Sequence, residues 1–288
     1  MDLRAIGMGL AFALMWSSAF TSARMIVAEA PPLMALSLRF LFSGVIGVGI
    51  ALALGQNFRL NRAQWRATLI FGLCQNALYL GLNFVAMQWV QASVASIIAS
   101  TMPLMVAFLG WAVFRDRVRP LGLAGLIAGV IGVAIIMGAR LSGGVDPVGM
   151  ALCFAGALAL SIATLTVRGA ASGGNVMMIV GLQMFVGAAA LTVVSAFTED
   201  WTAIHFSPRL IGAFAYTVLI PGVLATWIWF KLVGRIGAVK AATFHFLNPF
   251  FGVAIAALVL GERLGMLDLA GVAVIAAGIL AVQLSKQA

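Results

Sequence analysis

Ten times along the chain, apolar residues run for about 20 positions before a short cluster of charge or turn residues interrupts them. A helix crossing the hydrocarbon core of a bilayer needs about that length. The pattern therefore predicts spans near 5–27, 33–54, 67–88, 91–113, 119–138, 147–167, 176–197, 209–232, 237–260 and 265–284. The expected fold is all-α and integral to the membrane, with ten transmembrane helices. Several spans carry polar interruptions. "TFHFLNPFF" at 243–251 places a histidine, an asparagine and a proline close together in an otherwise apolar run. Proline removes a backbone donor and clashes with the carbonyl four residues earlier.

Composition agrees with the pattern. Hydrophobic residues make up 63% of the 288-residue chain and charged residues 9%, against roughly 25% charged in a soluble domain. Mean hydropathy is +1.12, and no polar segment is long enough to cover a soluble core of this size. A net charge of +9 would by itself suggest nucleic acid. The basic residues lie between spans rather than along one polar face, so no nucleic-acid partner is expected and the lipid bilayer is the expected surroundings. Cys74 and Cys153 fall inside spans and read as small packing residues, not as a disulfide or metal site. No metal and no cofactor are expected. The opening "MDLRAIGMGLAFALMWSSAFTSAR" has the basic start, apolar middle and small residues of a signal peptide, but it matches a later segment and is taken as the first span.

Orientation follows from the excess of Lys and Arg in cytoplasmic loops. With the N-terminus inside, the inner segments hold eleven basic residues: Arg4, Arg59, Arg62, Arg66, Arg115, Arg117, Arg119, Arg168, Lys231, Arg235 and Lys286. The outer segments hold three, Arg140, Arg209 and Arg263. Both termini are therefore expected in the cytoplasm, as an even number of spans requires.

The chain also repeats itself. A shift of 146 residues aligns Pro103 with Pro249, Ala92 with Ala238, Ala95 with Ala241 and Arg117 with Arg263. Asp116 meets Glu262, and the "LxLAG" pattern at 121–125 meets its copy at 267–271. A weaker match joins "GMGLAFA" (7–13) to "GMALCFA" (149–155). The expected halves are residues 1–140 and 141–288, five spans each. Five is odd, so the second half enters the membrane from the other side, which is the inverted repeat common in transporters with a site near the midplane.

Polar residues inside the spans are the candidate substrate contacts. In the fourth span Ser93, Ser96, Ser100 and Pro103 share one helical face, and in the ninth His245, Asn248 and Pro249 cluster around the paired proline. Pro103 and Pro249 are expected to kink their helices and act as hinges. In the third span Asn76, Tyr79 and Asn83 form one polar stripe. Interhelical hydrogen bonding accounts for such a stripe, but Tyr79 offers both a ring and a hydroxyl to a ligand. Ser17 lies on the first span beside Trp16, which sits too near mid-span for an interfacial belt. Trp89 and at least one of Trp227 and Trp229 fit that belt. Arg24 and Arg39 lie towards the outer half, where snorkelling accounts for a cation.

"LGERLGMLDLAGVAVIAAGIL" (260–280) resembles the closing signature of EamA-type permeases of the drug/metabolite transporter superfamily. "LMWSSAF" (14–20) and "PPLMALSLRF" (31–40) resemble the opening Trp–small–Ser and Pro…Arg–Phe pattern of that family. One departure is "RDRVRP" at the end of the fourth span, where the second half has "GERL". The resemblance covers the whole chain and implies a secondary transporter of the bacterial inner membrane, an exporter of small metabolites. Among such permeases the chain resembles amino-acid exporters in overall character, and the resemblance implies aromatic amino acids as a substrate set. It implies for Arg39 an ordering role between the first two spans. The oligomeric state is left open, a monomer being compatible with everything above.

None of the eight acidic residues falls at mid-bilayer. Proton-driven exporters commonly use an intramembrane carboxylate, and His245 is the one group near a span centre that titrates close to neutral pH. The expectation is facilitated, gradient-driven export of neutral zwitterions by alternating access. A multidrug exporter with a broad apolar cavity is the alternative. Transport of phosphorylated anions would call for central basic residues. An intramembrane enzyme would need a metal cluster, a nucleophile–base pair or paired carboxylates, none of which the pattern supplies.

Overall fold

The described part of each predicted span is helical in the computed structural model, which describes residues 3–113, 115, 119–142, 144, 146–166, 175–236, 241, 243–263 and 265–285. The helices are α1 (Leu3–Val27), α2 (Pro32–Ala53), α3 (Arg62–Ala86), α4 (Ala92–Ala112) and α5 (Pro120–Ser142). They continue as α6 (Pro147–Thr166), α7 (Val176–Thr198), α8 (Pro208–Ile236), α9 and α10 (Met266–Ser285). Helix α9 opens as a 3₁₀ turn, Thr243–Leu247, and goes on as an α-helix, Asn248–Leu260. Among the described residues eight helices are long and apolar enough to cross a membrane, and α5 and α9 carry shorter apolar stretches. Four helices begin at a proline, where the missing N–H costs nothing and φ is already helical. Asp116, Arg117, Arg168, Ala238 and Lys286, which figure in the orientation and repeat arguments, lie outside the described residues.

The packing has a two-fold plan. Helix α5 lies along α10, α2 along α7, and α4 crosses α9. Helix α1 crosses α9 as α6 crosses α4, and α8 packs on α1 and α2 as α3 packs on α6 and α7. Exchanging the first five helices with the last five leaves this set of neighbours unchanged. The chain is an all-helical membrane protein of two five-helix repeats in inverted topology. Close seams use small residues, as expected where lipid offers no hydrophobic drive between helices. A β-carbon on Gly125 of α5 would lie 2.6 Å from the Gly278 carbonyl of α10.

The irregularities repeat too. Helix α3 widens into a π-helix over Gly72–Leu80, and α8 does so over Val218–Leu224, around Pro221. Helix α4 breaks at Thr101, between Ala92–Ser100 and Met102–Ala112, as α9 changes from 3₁₀ to α after Leu247. In each pair the second feature begins 146 positions after the first, the shift that aligns Pro103 with Pro249. Both prolines sit in the first turn of the segment after the break, where proline starts a helix instead of straining one.

One end of the molecule gathers carboxylates at helix termini, and we call it the acidic face. Glu199 accepts from the N–H groups of Leu33 and Met34, both at 2.8 Å, at the start of α2. Glu262 accepts from Ala92 at 2.8 Å and Ser93 at 3.0 Å, at the start of α4. Free N–H groups and the helix dipole both favour an anion there. On the opposite face Gln56, at the end of α2, accepts from the Met178 N–H at 3.0 Å near the start of α7, mirroring Glu199. Arg24 donates to the carbonyl of Met87, the residue ending α3. It therefore caps a helix C-terminus instead of snorkelling, because those last carbonyls have no partner within their own helix.

Candidate functional site

Four rings meet where α1, α8 and α9 converge. Phe12 and Trp16 of α1 lie one turn apart, with centroids 5.6 Å apart. Trp229 of α8 lies 4.7 Å from Phe12 and 5.2 Å from His245, and His245 stands edge-on to Phe12 at 5.4 Å. The 3₁₀ turn brings His245 to α1 and α8, and the α-helical segment then starts at Asn248. The Asn248 amide nitrogen lies 2.9 Å from His245 Nδ1, and Ser17 Oγ donates to the Asn248 carbonyl at 3.2 Å. The other amide atom of Asn248, Oδ1, is buried without a hydrogen-bond partner. Buried polar atoms of native proteins are nearly always paired, and an unpaired one calls for an explanation.

Trp16, Ser17, His245 and Asn248 are thus assembled in one place. Ser96 of α4 adjoins the same stretch of α9, against Gly252. Its Oγ and that of Ser93 are buried without partners, and Ser100 donates to the Ser96 carbonyl at 2.7 Å.

The third-span stripe is not one stripe. Asn76 turns to α7, donating to the Gln183 carbonyl at 2.9 Å and packing on Gly187. Tyr79 and Asn83 turn to α6, where a β-carbon on Gly156 would lie 3.0 Å from the Tyr79 carbonyl. Asn83 donates to that same carbonyl at 2.7 Å, leaving its Oδ1 unpartnered. The reason is the π-helix, whose hydrogen bonds span five residues. It makes a wider turn, so residues spaced for a common α-helical face point to different neighbours.

Sequence reasoning missed Phe12 and Pro221, and gave Arg39 only a packing role. Phe12 had a signal in its spacing of four from Trp16, and Pro221 in lying deep inside an apolar run. Trp229 belongs to the ring cluster, which leaves Trp227 as the belt residue of that pair. Trp89 and Trp227 remain exposed, at 54% and 42%, as an interfacial belt requires. Both cysteines are free. Among the described residues no group of three His, Cys, Asp or Glu side chains gathers to hold a metal.

Ten membrane helices in two inverted halves, with broken helices crossing between the halves, define a multi-pass secondary transporter and not an enzyme. The chain belongs to the EamA-like transporter family, whose model matches it twice, over residues 3–138 and 147–284. It is 26% identical over 275 residues to the uncharacterized transporter YvbV of Bacillus subtilis, covering 96% of this chain and 90% of that one. Similarity to a probable amino-acid metabolite efflux pump of Salmonella typhimurium is 26% identity over 286 residues, covering 94% and 92%. The aromatic amino acid exporter YddG of Ancylobacter novellus is 26% identical over 135 residues, 47% of this chain and 46% of that one. As a transporter, the chain takes a small-molecule substrate.

Proposed function

We propose that the protein exports neutral amino acids, aromatic and hydrophobic ones foremost, across the bacterial inner membrane by alternating access between its halves. The observation that carries this reading is the ring cluster of Phe12, Trp16, Trp229 and His245 beside the unpartnered Asn248 Oδ1. The rings offer an apolar surface that stacks on an aromatic side chain, and the amide oxygen offers an acceptor to an ammonium group. Ser96 and Ser100 on α4, and Tyr79 and Asn83 on α3, complete the proposed path, with Pro103 and Pro249 at its hinges. Asn76, bonded across to α7, serves it through packing. The two relatives named for amino-acid export support the substrate class. The repeats 1–140 and 141–288 would rock about the breaks in α4 and α9, with both termini in the cytoplasm.

Export runs down the substrate gradient, because every described carboxylate sits at a helix end or in a loop, leaving no acid at the centre to relay protons. The test is uptake into proteoliposomes of labelled phenylalanine, tryptophan, leucine, threonine and glutamate, with and without a pH gradient. Saturable uptake of the aromatic members, absent for glutamate and indifferent to the gradient, is expected. Strong stimulation by the gradient that vanishes in His245→Ala would overturn the coupling. Lipophilic cations carried in place of amino acids would make the protein a multidrug exporter.

A further inference from the structure

Arg39 is a buried cation without a paired carboxylate among the described residues. It lies in α2 and is only 6% exposed, its Nε is buried with no hydrogen-bond partner, and its guanidinium carbon lies 5.1 Å from the centroid of the Phe40 ring. The described carboxylates are all engaged elsewhere. Glu199 and Glu262 cap α2 and α4, and Glu29 accepts from Ser207. Asp146 and Asp268 accept from Gly149 and Gly265, and Asp200 from Thr202. A charge inside a membrane protein is costly unless paired or functional. Helix packing needs no guanidinium and explains neither the charge nor its unused donor.

We propose that Arg39 is an anion subsite that receives the carboxylate of the transported molecule. A guanidinium presents parallel N–H donors that match a carboxylate, so the ligand supplies the counter-charge the protein withholds. The subsite is distinct from the ring cluster. Arg39 is seven residues from the start of α2 on the acidic face, about 10 Å at the helical rise, whereas Asn248 is twelve residues from the end of α9 on that face, about 18 Å. It would serve as a second station, nearer the acidic face, at which a zwitterion is held by its carboxylate.

This inference rests on the amino-acid reading for the identity of the substrate, and its test is independent of transport. Thermal unfolding of the purified full-length protein is followed with 3-phenylpropionate and with its uncharged isostere 3-phenylpropanamide. The carboxylate is expected to raise the midpoint of the unsubstituted protein and the amide to leave it unchanged. In Arg39→Gln the affinity for the carboxylate falls about tenfold or more, and Arg39→Lys, which keeps the charge without the planar fork, falls between. Equal shifts from both probes, no shift from either, or a carboxylate shift that survives in Arg39→Gln would each overturn the proposal. Should Arg39→Gln fail to fold, the two probes on the unsubstituted protein and on Arg39→Lys decide it. A protein that shows the carboxylate-specific shift but moves no amino acid keeps the anion subsite and loses the amino-acid reading. One that transports amino acids without that shift loses only the subsite.

Discussion

Gly252 of α9 sits so close to Ser96 of α4 that a β-carbon on the glycine would overlap the serine hydroxyl and lie 2.6 Å from its Cβ. This contact lies in the crossing of α4 and α9, which joins the two repeats. Gly252→Ala is therefore expected to destabilise the protein by about 1–3 kcal/mol, the usual cost of overpacking. The Gly252→Ala/Ser96→Gly pair should recover much of it. Unfolding midpoints of the single and double variants form the cycle that measures the coupling; additive losses would mean the crossing adjusts elsewhere.

The carboxylate caps give a second test. Glu199→Ala leaves the first N–H groups of α2 without an acceptor, and Glu262→Ala does the same to α4. Each is expected to cost about 1 kcal/mol, seen as a lower unfolding midpoint. Gln56→Ala on the opposite face should behave alike, whereas a change at the exposed Gln88 should leave the midpoint where it is.

The ring cluster and the belt separate two tryptophans only two residues apart. Trp229→Ala is expected to lower the rate of aromatic amino-acid uptake at limiting substrate about tenfold, the scale of losing a stacked ring contact. Trp227→Ala, whose ring faces outward beneath Lys231 Nζ at 5.1 Å, should change it little. Uptake measured in parallel for leucine checks that the loss at Trp229 follows the substrate's ring.

Orientation is open to labelling. In a Cys74→Ala/Cys153→Ala background, Thr202→Cys on the acidic face is expected to react with an impermeant maleimide in intact cells. Asn57→Cys, in the loop after α2, should react only once the membrane is opened. The reverse pattern would invert the proposed topology.

Asp200, in the loop after α7, accepts from the Thr202 N–H at 2.9 Å and from its hydroxyl at 2.7 Å. The Thr202 side chain first, then its backbone N–H, hold the Asp200 carboxyl below its ordinary pKa. A depressed carboxyl contributes any stabilisation above its ordinary pKa and loses it as pH falls through the lowered value. Thr202→Val is expected to raise the Asp200 titration midpoint, read from the carboxyl carbon by NMR.

The amino-acid sequence by itself determined the ten spans, their division into two halves and the places where α4 and α9 break. Span length and the 146-residue shift are properties of consecutive residues, legible wherever hydropathy, prolines and turns are. It also marked Trp16, Ser17, His245 and Asn248 as unusual inside spans. That these four meet was decided by the tertiary structure, which brings α1 and α9 together although Ser17 and Asn248 are 231 positions apart. The same holds for Glu199 on α2 and Gln56 on α7, since a cap between distant helices leaves no local periodicity to read. Asn76 parted from Tyr79 because a π-helix changes the angle per residue, and hydropathy does not record that angle. Arg39 was visible as an arginine in an apolar run, but its lack of a partner among the described residues depends on where the described acids end up in the fold.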